Sequence, residues 1–396
     1  MRALRTISML PLFAALAFTG CGDDGNSEPT PIEHTVDLTK PVKVDVSGYE
    51  PASLAEYNLF TWSEEEGFTF HEDVVGYDLN TPLFTDYALK SRAIYIPEGK
   101  SMEYKDDAAF EFPVGSLILK TFYYPADLRK PDENIQLLET RILIRLEDGW
   151  TARPYVWNED QTDAYLHKIG RVVPHSFIGH DGEELTANYT IPQKNQCQHC
   201  HSLKPEDGDT VLFLPIGPKA RHLNRIYDYG HEGELNQLEH FQARGILSGM
   251  PAIEDVPKAY DFAPIEELGL AAVEEGDIEK AARDYLDINC AHCHSPTGVQ
   301  GITSQLFLNH DNEDQHRLGI CKKPGSAGNA SGGNDYDIVP GDPEASILHF
   351  RINTEEAGKM MPVIARSLRH TEGVELVHAW IQAMPPNDTC PPTSTP

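Results

Sequence analysis

The chain has 396 residues, 40% of them hydrophobic, with 62 acidic against 32 basic side chains and a formal net charge of −30. That length allows two or three domains with real cores. So acidic a surface repels nucleic acid and anionic lipid and draws basic proteins at long range, so no nucleic-acid partner is expected.

In chain order, Arg2 and Arg5 precede a short apolar run from Ile7 to Phe18, the pattern of an export signal over residues 1–20. Phe18-Thr19-Gly20-Cys21 follows and resembles the lipobox of bacterial lipoproteins, with Phe18 where that family usually has Leu. The resemblance implies cleavage before Cys21 and lipidation of that residue. It places the protein in a bacterial cell envelope, lipid-anchored on the periplasmic side or at the outer membrane. Residues 21–35, rich in Gly, Asp, Ser and Pro, read as a solvated tether. No stretch after residue 20 is apolar enough to span a membrane, so membrane contact is expected through the lipid alone.

Residues 36–188 read as β-structure, a sandwich or open barrel. Ser116 to Tyr124 forms one strand, and Glu139 to Trp157 forms a hairpin around Asp148-Gly149. Near residue 190 the composition turns helical, which divides the rest into modules at 189–275 and 276–396. Helices are predicted over Glu234–Arg244 and Asp277–Asn289. A last helix starts from Thr371 as N-cap, carries Val374, Val377, Ile381 and Met384 at helical spacing, and stops at Pro385-Pro386. The fold class expected is therefore α+β and multidomain: an all-β domain followed by two mainly α modules.

Two segments carry the chemistry. Cys197-Gln198-His199-Cys200-His201 and Cys290-Ala291-His292-Cys293-His294 both match C-x-x-C-H, the attachment pattern of c-type haem. Two thiols three residues apart lie on one helical turn and can form thioethers to the two vinyl groups of one porphyrin. The adjoining His201 or His294 then meets the iron as proximal ligand. Two covalently attached haem c groups are expected; paired zinc knuckles are the alternative use of such spacings. An exported chain meets an oxidising compartment, and once Cys21 and the four motif cysteines are assigned, Cys321 and Cys390 remain as one disulfide.

Each iron also needs a sixth ligand. Met361, followed by Pro362 and then the terminal helix, is the choice for the second haem, with Met360 as rival. Met250 leads for the first, with His222 and His240 as bis-His alternatives. The order helix, C-x-x-C-H, loop, Met, terminal helix resembles small class I cytochromes c.

Several phrases resemble a largely uncharacterised family of bacterial dihaem c-type cytochromes. They include Ala281-Ala282-Arg283-Asp284-Tyr285-Leu286 running into the second motif, Gly217 to Arg225, Asp337 to Gly341, Met360-Met361-Pro362, Thr81 to Phe84 and Pro154 to Asn158. The resemblance spans most of the mature chain and implies haem at both motifs and a β-rich N-terminal region, without a substrate. The function expected is electron transfer between partners at the cell envelope, one of them a basic redox protein. The alternative is a peroxidase-like dihaem oxidoreductase, in which one iron opens to substrate. Cys21→Ala should release the protein from the membrane fraction or block its processing; a variant that still sediments with membranes like the parent would refute the anchor.

Overall fold

Leu117 to Tyr124 is apolar towards both sides, and a strand of that kind has to be covered on both faces. The computed structural model describes residues 36–204, 211–298 and 304–390. It sets this strand in a six-stranded antiparallel sheet. The strands, in spatial order, are β1 (Val74–Gly76), β2 (Leu89–Tyr95), β3 (Leu117–Tyr124), β4 (Gln136–Leu146), β5 (Gly149–Trp157) and β6 (Ala164–Leu166). Spatial order repeats chain order, so the sheet is a meander of hairpins. Leu146 pairs with Gly149 at the β4–β5 turn, where Asp-Gly predicts it. A second ribbon, β7 (Arg171–Ile178) with β8 (Glu184–Ile191), leads directly to the first motif.

Side-chain alternation decides what covers each face. Leu117, Leu119, Ile142 and Ile144 pack on Leu54, Tyr57 and Phe60 from the N-terminal chain. Ile94 and Ile118, on the other face, pack on Ala220, Leu223, Leu238 and Phe241. The cover on this face is short helices and loops, not a second sheet, so the expected sandwich or barrel is instead one sheet in a mixed α/β fold. This second cluster joins residues from before position 188 with residues after 189, which therefore share a core. Tyr155 is fully buried and Trp150 packs edge-on against Phe112 at 5.2 Å, so these aromatics belong to the interior.

The helices are short: α1 (Gln198–His201), α2 (Ala220–Leu223), α3 (Gln237–Ala243), α4 (Ala263–Leu268), α5 (Ile278–Leu286), α6 (Ile347–Asn353) and α7 (Thr371–Ala383). The helix expected from Glu234 begins only at Gln237. The Asn236 side chain caps it by accepting from the Leu238 and Glu239 N–H groups, and residues 234–236 pair as a strand with 226–228. Beyond Leu286 the helix expected to Asn289 widens into a π-turn, Asp287–Ala291. Thr371 is the first residue of α7 and not its cap, which is His370. Val374, Val377 and Ile381 of α7 bury against Ala281, Ala282 and Leu286 of α5, forming the core of the last third of the chain. Among the described residues no helix is long and apolar enough to cross a membrane.

Cys321 and Cys390 are joined in a disulfide, their Cα atoms 5.3 Å apart and 69 residues apart in sequence. The bridge ties the chain just beyond α7 back to the loop after the second motif. Replacing both residues by Ser should lower unfolding stability by about 2–4 kcal/mol. Equilibrium urea unfolding of parent and variant measures this, and an unchanged midpoint would show that the bridge contributes nothing.

Candidate functional site

The first motif begins where β8 ends. Lys194–Cys197 makes a 3₁₀ turn and α1 carries the rest, so Cys197, Cys200 and His201 all border one cavity of about 140 Å³. The far wall of that cavity is the sheet, through Ile118, Lys120, Arg141 and Leu143. The His201 Nδ1 donates to the Leu214 carbonyl at 2.7 Å, which leaves Nε2 with a free lone pair. Burial pushes this imidazole down to about 3, so it is neutral at physiological pH. The Phe213 ring stacks on it at 5.0 Å. Burial also lifts the Cys197 and Cys200 thiols above their usual range.

The second motif sits on the π-turn and the bend that follows it. Cys290, Cys293 and His294 border a larger cavity of about 430 Å³, whose wall includes Leu306, Leu348, Met361 and His370. Burial pushes both thiols up to about 12 and the His294 imidazole down to about 4. The His294 Nδ1 lies 3.5 Å from the Ser304 hydroxyl. Met361 is on this wall, whereas Met360 is not among the described residues that line it.

The two motifs touch. The Cys293 Sγ lies 3.6 Å from the His199 carbonyl oxygen, and the two cavities share Cys200 and Ile364 in their walls. His199 and His292, the residues inside the motifs, both border the larger cavity. The four motif cysteines are free thiols.

Met250 is not at the first cavity. Leu247–Ser248 pairs with Met102–Glu103, and this carries the chain to a corner where Met250 packs on the cluster around Tyr77, Met102 and Phe241. The rivals are engaged elsewhere as well. His222 is wholly buried with Nε2 3.5 Å from Asp287, and the His240 ring lies 3.9 Å from that of Tyr229. Among the described residues lining the first cavity there is no methionine, and His201 is the only histidine. Cys21 lies outside the described residues.

Sequence reasoning overlooked two residues. Lys120 interrupts the apolar run of β3, and alternation along the strand places it on the Ile118 face. His370, at the cap of α7, borders the larger cavity. Its ring stacks on Phe84 at 4.2 Å, its Nδ1 lies 3.0 Å from the Tyr285 hydroxyl, and burial pushes it down to about 3. No three His, Cys, Asp or Glu side chains converge as a metal site among the described residues. Haem attachment needs no such convergence, because the thiols bond to vinyl carbons and only the imidazole meets the iron. Comparison with protein-family models, with curated proteins and with solved structures gives no match.

Proposed function

We propose that the chain is an exported c-type cytochrome with two covalent haem groups, carrying electrons between partners at the cell envelope. The observation that carries this reading is the side-by-side placement of two C-x-x-C-H segments, each presenting two free thiols and a neutral imidazole to a cavity. On this reading residues 189–275 and 276–396 are the haem-bearing modules, the first of them packed against the sheet. The larger cavity, at about 430 Å³, falls within the ~300–1,000 Å³ usual for cofactor sites. The hollow at the first motif, at about 140 Å³, is smaller than that range. When bound, each haem supplies a one-electron iron couple whose potential its axial ligands and surroundings tune.

The chain's own residues hold, orient and shield. His201 and His294 are neutral, as ligation requires, and hydrogen bonding fixes the tautomer of His201. Met361 is the proposed sixth ligand in the larger cavity. Its loop is clamped by Arg366, which donates to the Leu368 carbonyl at 2.9 Å, the Thr354 carbonyl at 2.8 Å and the Met361 carbonyl. Leu306, Leu348 and Ile352 give the same cavity an apolar wall. On this reading the contact between the motifs would give an electron a short path between the two sites within the protein. The charge of −30 suits a basic redox partner.

One observation favours the peroxidase-like reading: no methionine borders the first cavity among its described residues, which leaves that iron without the expected sixth ligand. Intact mass should exceed the polypeptide by two haems plus any lipid, and zinc in place of iron would overturn the proposal. Met361→Ala should abolish the weak far-red thioether-to-iron band, lower that haem's potential and admit cyanide. Met360→Ala and His370→Ala should keep the band; its loss in His370→Ala alone would move the ligand to that residue. Rapid peroxide turnover by the parent, half-reduced protein would favour the enzyme.

A further inference from the structure

We infer that the ε-amine of Lys120 is the sixth ligand of the first haem iron. The inference rests on the cytochrome reading above and concerns the wall that faces His201. That wall is largely one face of the sheet, contributed by Arg92 of β2, Ile118 and Lys120 of β3, Arg141 and Leu143 of β4, and Ala152 of β5. Ile118, Leu143 and Ala152 have no ligating atom. Arginine carries no lone pair at any accessible pH. Among the described residues of this wall, Lys120 is the one with a nitrogen that can donate an electron pair. The undescribed residues 205–210, which follow the first motif, include no Met, His or Cys.

The surroundings of Lys120 point the same way. Arg92, Lys120 and Arg141 stand directly opposite one another on adjacent strands. Each arginine has a carboxylate of its own: Arg92 pairs with Asp78, and Arg141 with Glu139 at 2.5 Å. Lys120 pairs with no carboxylate among the described residues, and its Nζ rests 5.0 Å from the centre of the Phe122 ring. Like charges facing each other across a sheet are destabilising, and a half-buried ammonium lacking a counter-ion adds to that. An amine bound to iron would carry no charge there and need no carboxylate. A neutral amine is the form with a free lone pair.

The competing role for Lys120 is to pair, as a cation, with a haem propionate. Full-length, haem-loaded parent, Lys120→Ala, Lys120→Met and Lys120→Arg proteins separate the two. The measurements are haem content, the far-red band of the oxidised form, and carbon monoxide binding by the reduced form. The parent should bind no carbon monoxide. Lys120→Ala and Lys120→Arg should each keep two haems and take up about one equivalent, and Lys120→Met should roughly double the far-red band. If Lys120→Ala is poorly folded, Lys120→Arg carries the test, since it supplies the cation a propionate would need and has no lone pair to give the iron. Carbon monoxide binding by the parent, or a Lys120→Arg protein as closed as the parent, would overturn the ligand assignment. A parent with fewer than two haems would instead sink the cytochrome reading on which it rests.

Discussion

Two carboxylates one turn apart, Asp284 and Asp287, lie almost wholly out of water where α5 runs into the second motif. An isolated charge there costs several kcal/mol, so the fold must bring cations to both. Asp284 pairs with Arg221 and, at 2.7 Å, with Lys280, and accepts from the Tyr260 N–H. Around Asp287 stand Lys219 at 3.2 Å, with Arg221, His222 and His310 each at 3.5 Å. Burial raises the Asp287 carboxyl, but His222, His310 and Lys219 outweigh it and hold the group well below the usual range. Breaking such a pair from one side costs about 3–5 kcal/mol. Asp287 is three residues before Cys290, and Lys219 directly follows Pro215 to Pro218, which border the first cavity. The network therefore fixes one motif against the other, and the contact between Cys293 and His199 follows from it.

The same network explains which parts of the sequence were readable. Arg221 and Asp284 belong to two of the phrases that resemble the dihaem family, and in space they are partners. A third phrase joins them where the Phe84 N–H donates to the Asn289 side chain at 2.8 Å. Local signals translated well: the Asp-Gly turn between β4 and β5 and the apolar stripe of α7. Each depends on neighbours within a few positions, where sterics and hydrogen bonding act without regard to the rest of the chain.

What the sequence concealed is tertiary. The unbroken apolar run Leu117 to Leu119 calls for cover on two faces, but a second sheet and a layer of short helices satisfy that demand equally. The first cavity failed for a related reason. A small cytochrome supplies its distal ligand from downstream chain, which made Met250 attractive. Here the strand Leu247–Ser248 is drawn to Met102–Glu103 and takes Met250 with it, while a strand some eighty residues upstream closes the cavity. No periodicity in the vicinity of Cys197 encodes that wall.

The cation row on the sheet bears on the choice between carrier and catalyst. Natural cores seldom keep a charged side chain that lacks a partner, and where they do a functional group usually completes it. Arg92 and Arg141 are completed by Asp78 and Glu139, and the Tyr189 hydroxyl adds a bond to Glu139 at 2.7 Å. Among the described residues Lys120 alone in this row has no carboxylate paired with it, and it borders the cavity of the first motif. An amine on the first iron and a thioether on the second would leave neither metal a position for substrate, and the protein would then work by electron transfer alone. A propionate at Lys120 would complete the charge equally well but leave the iron open on its sheet side. The division between carrier and enzyme thus comes down to which atom the Lys120 nitrogen meets, a question set by one wall of the sheet and not by the motifs themselves.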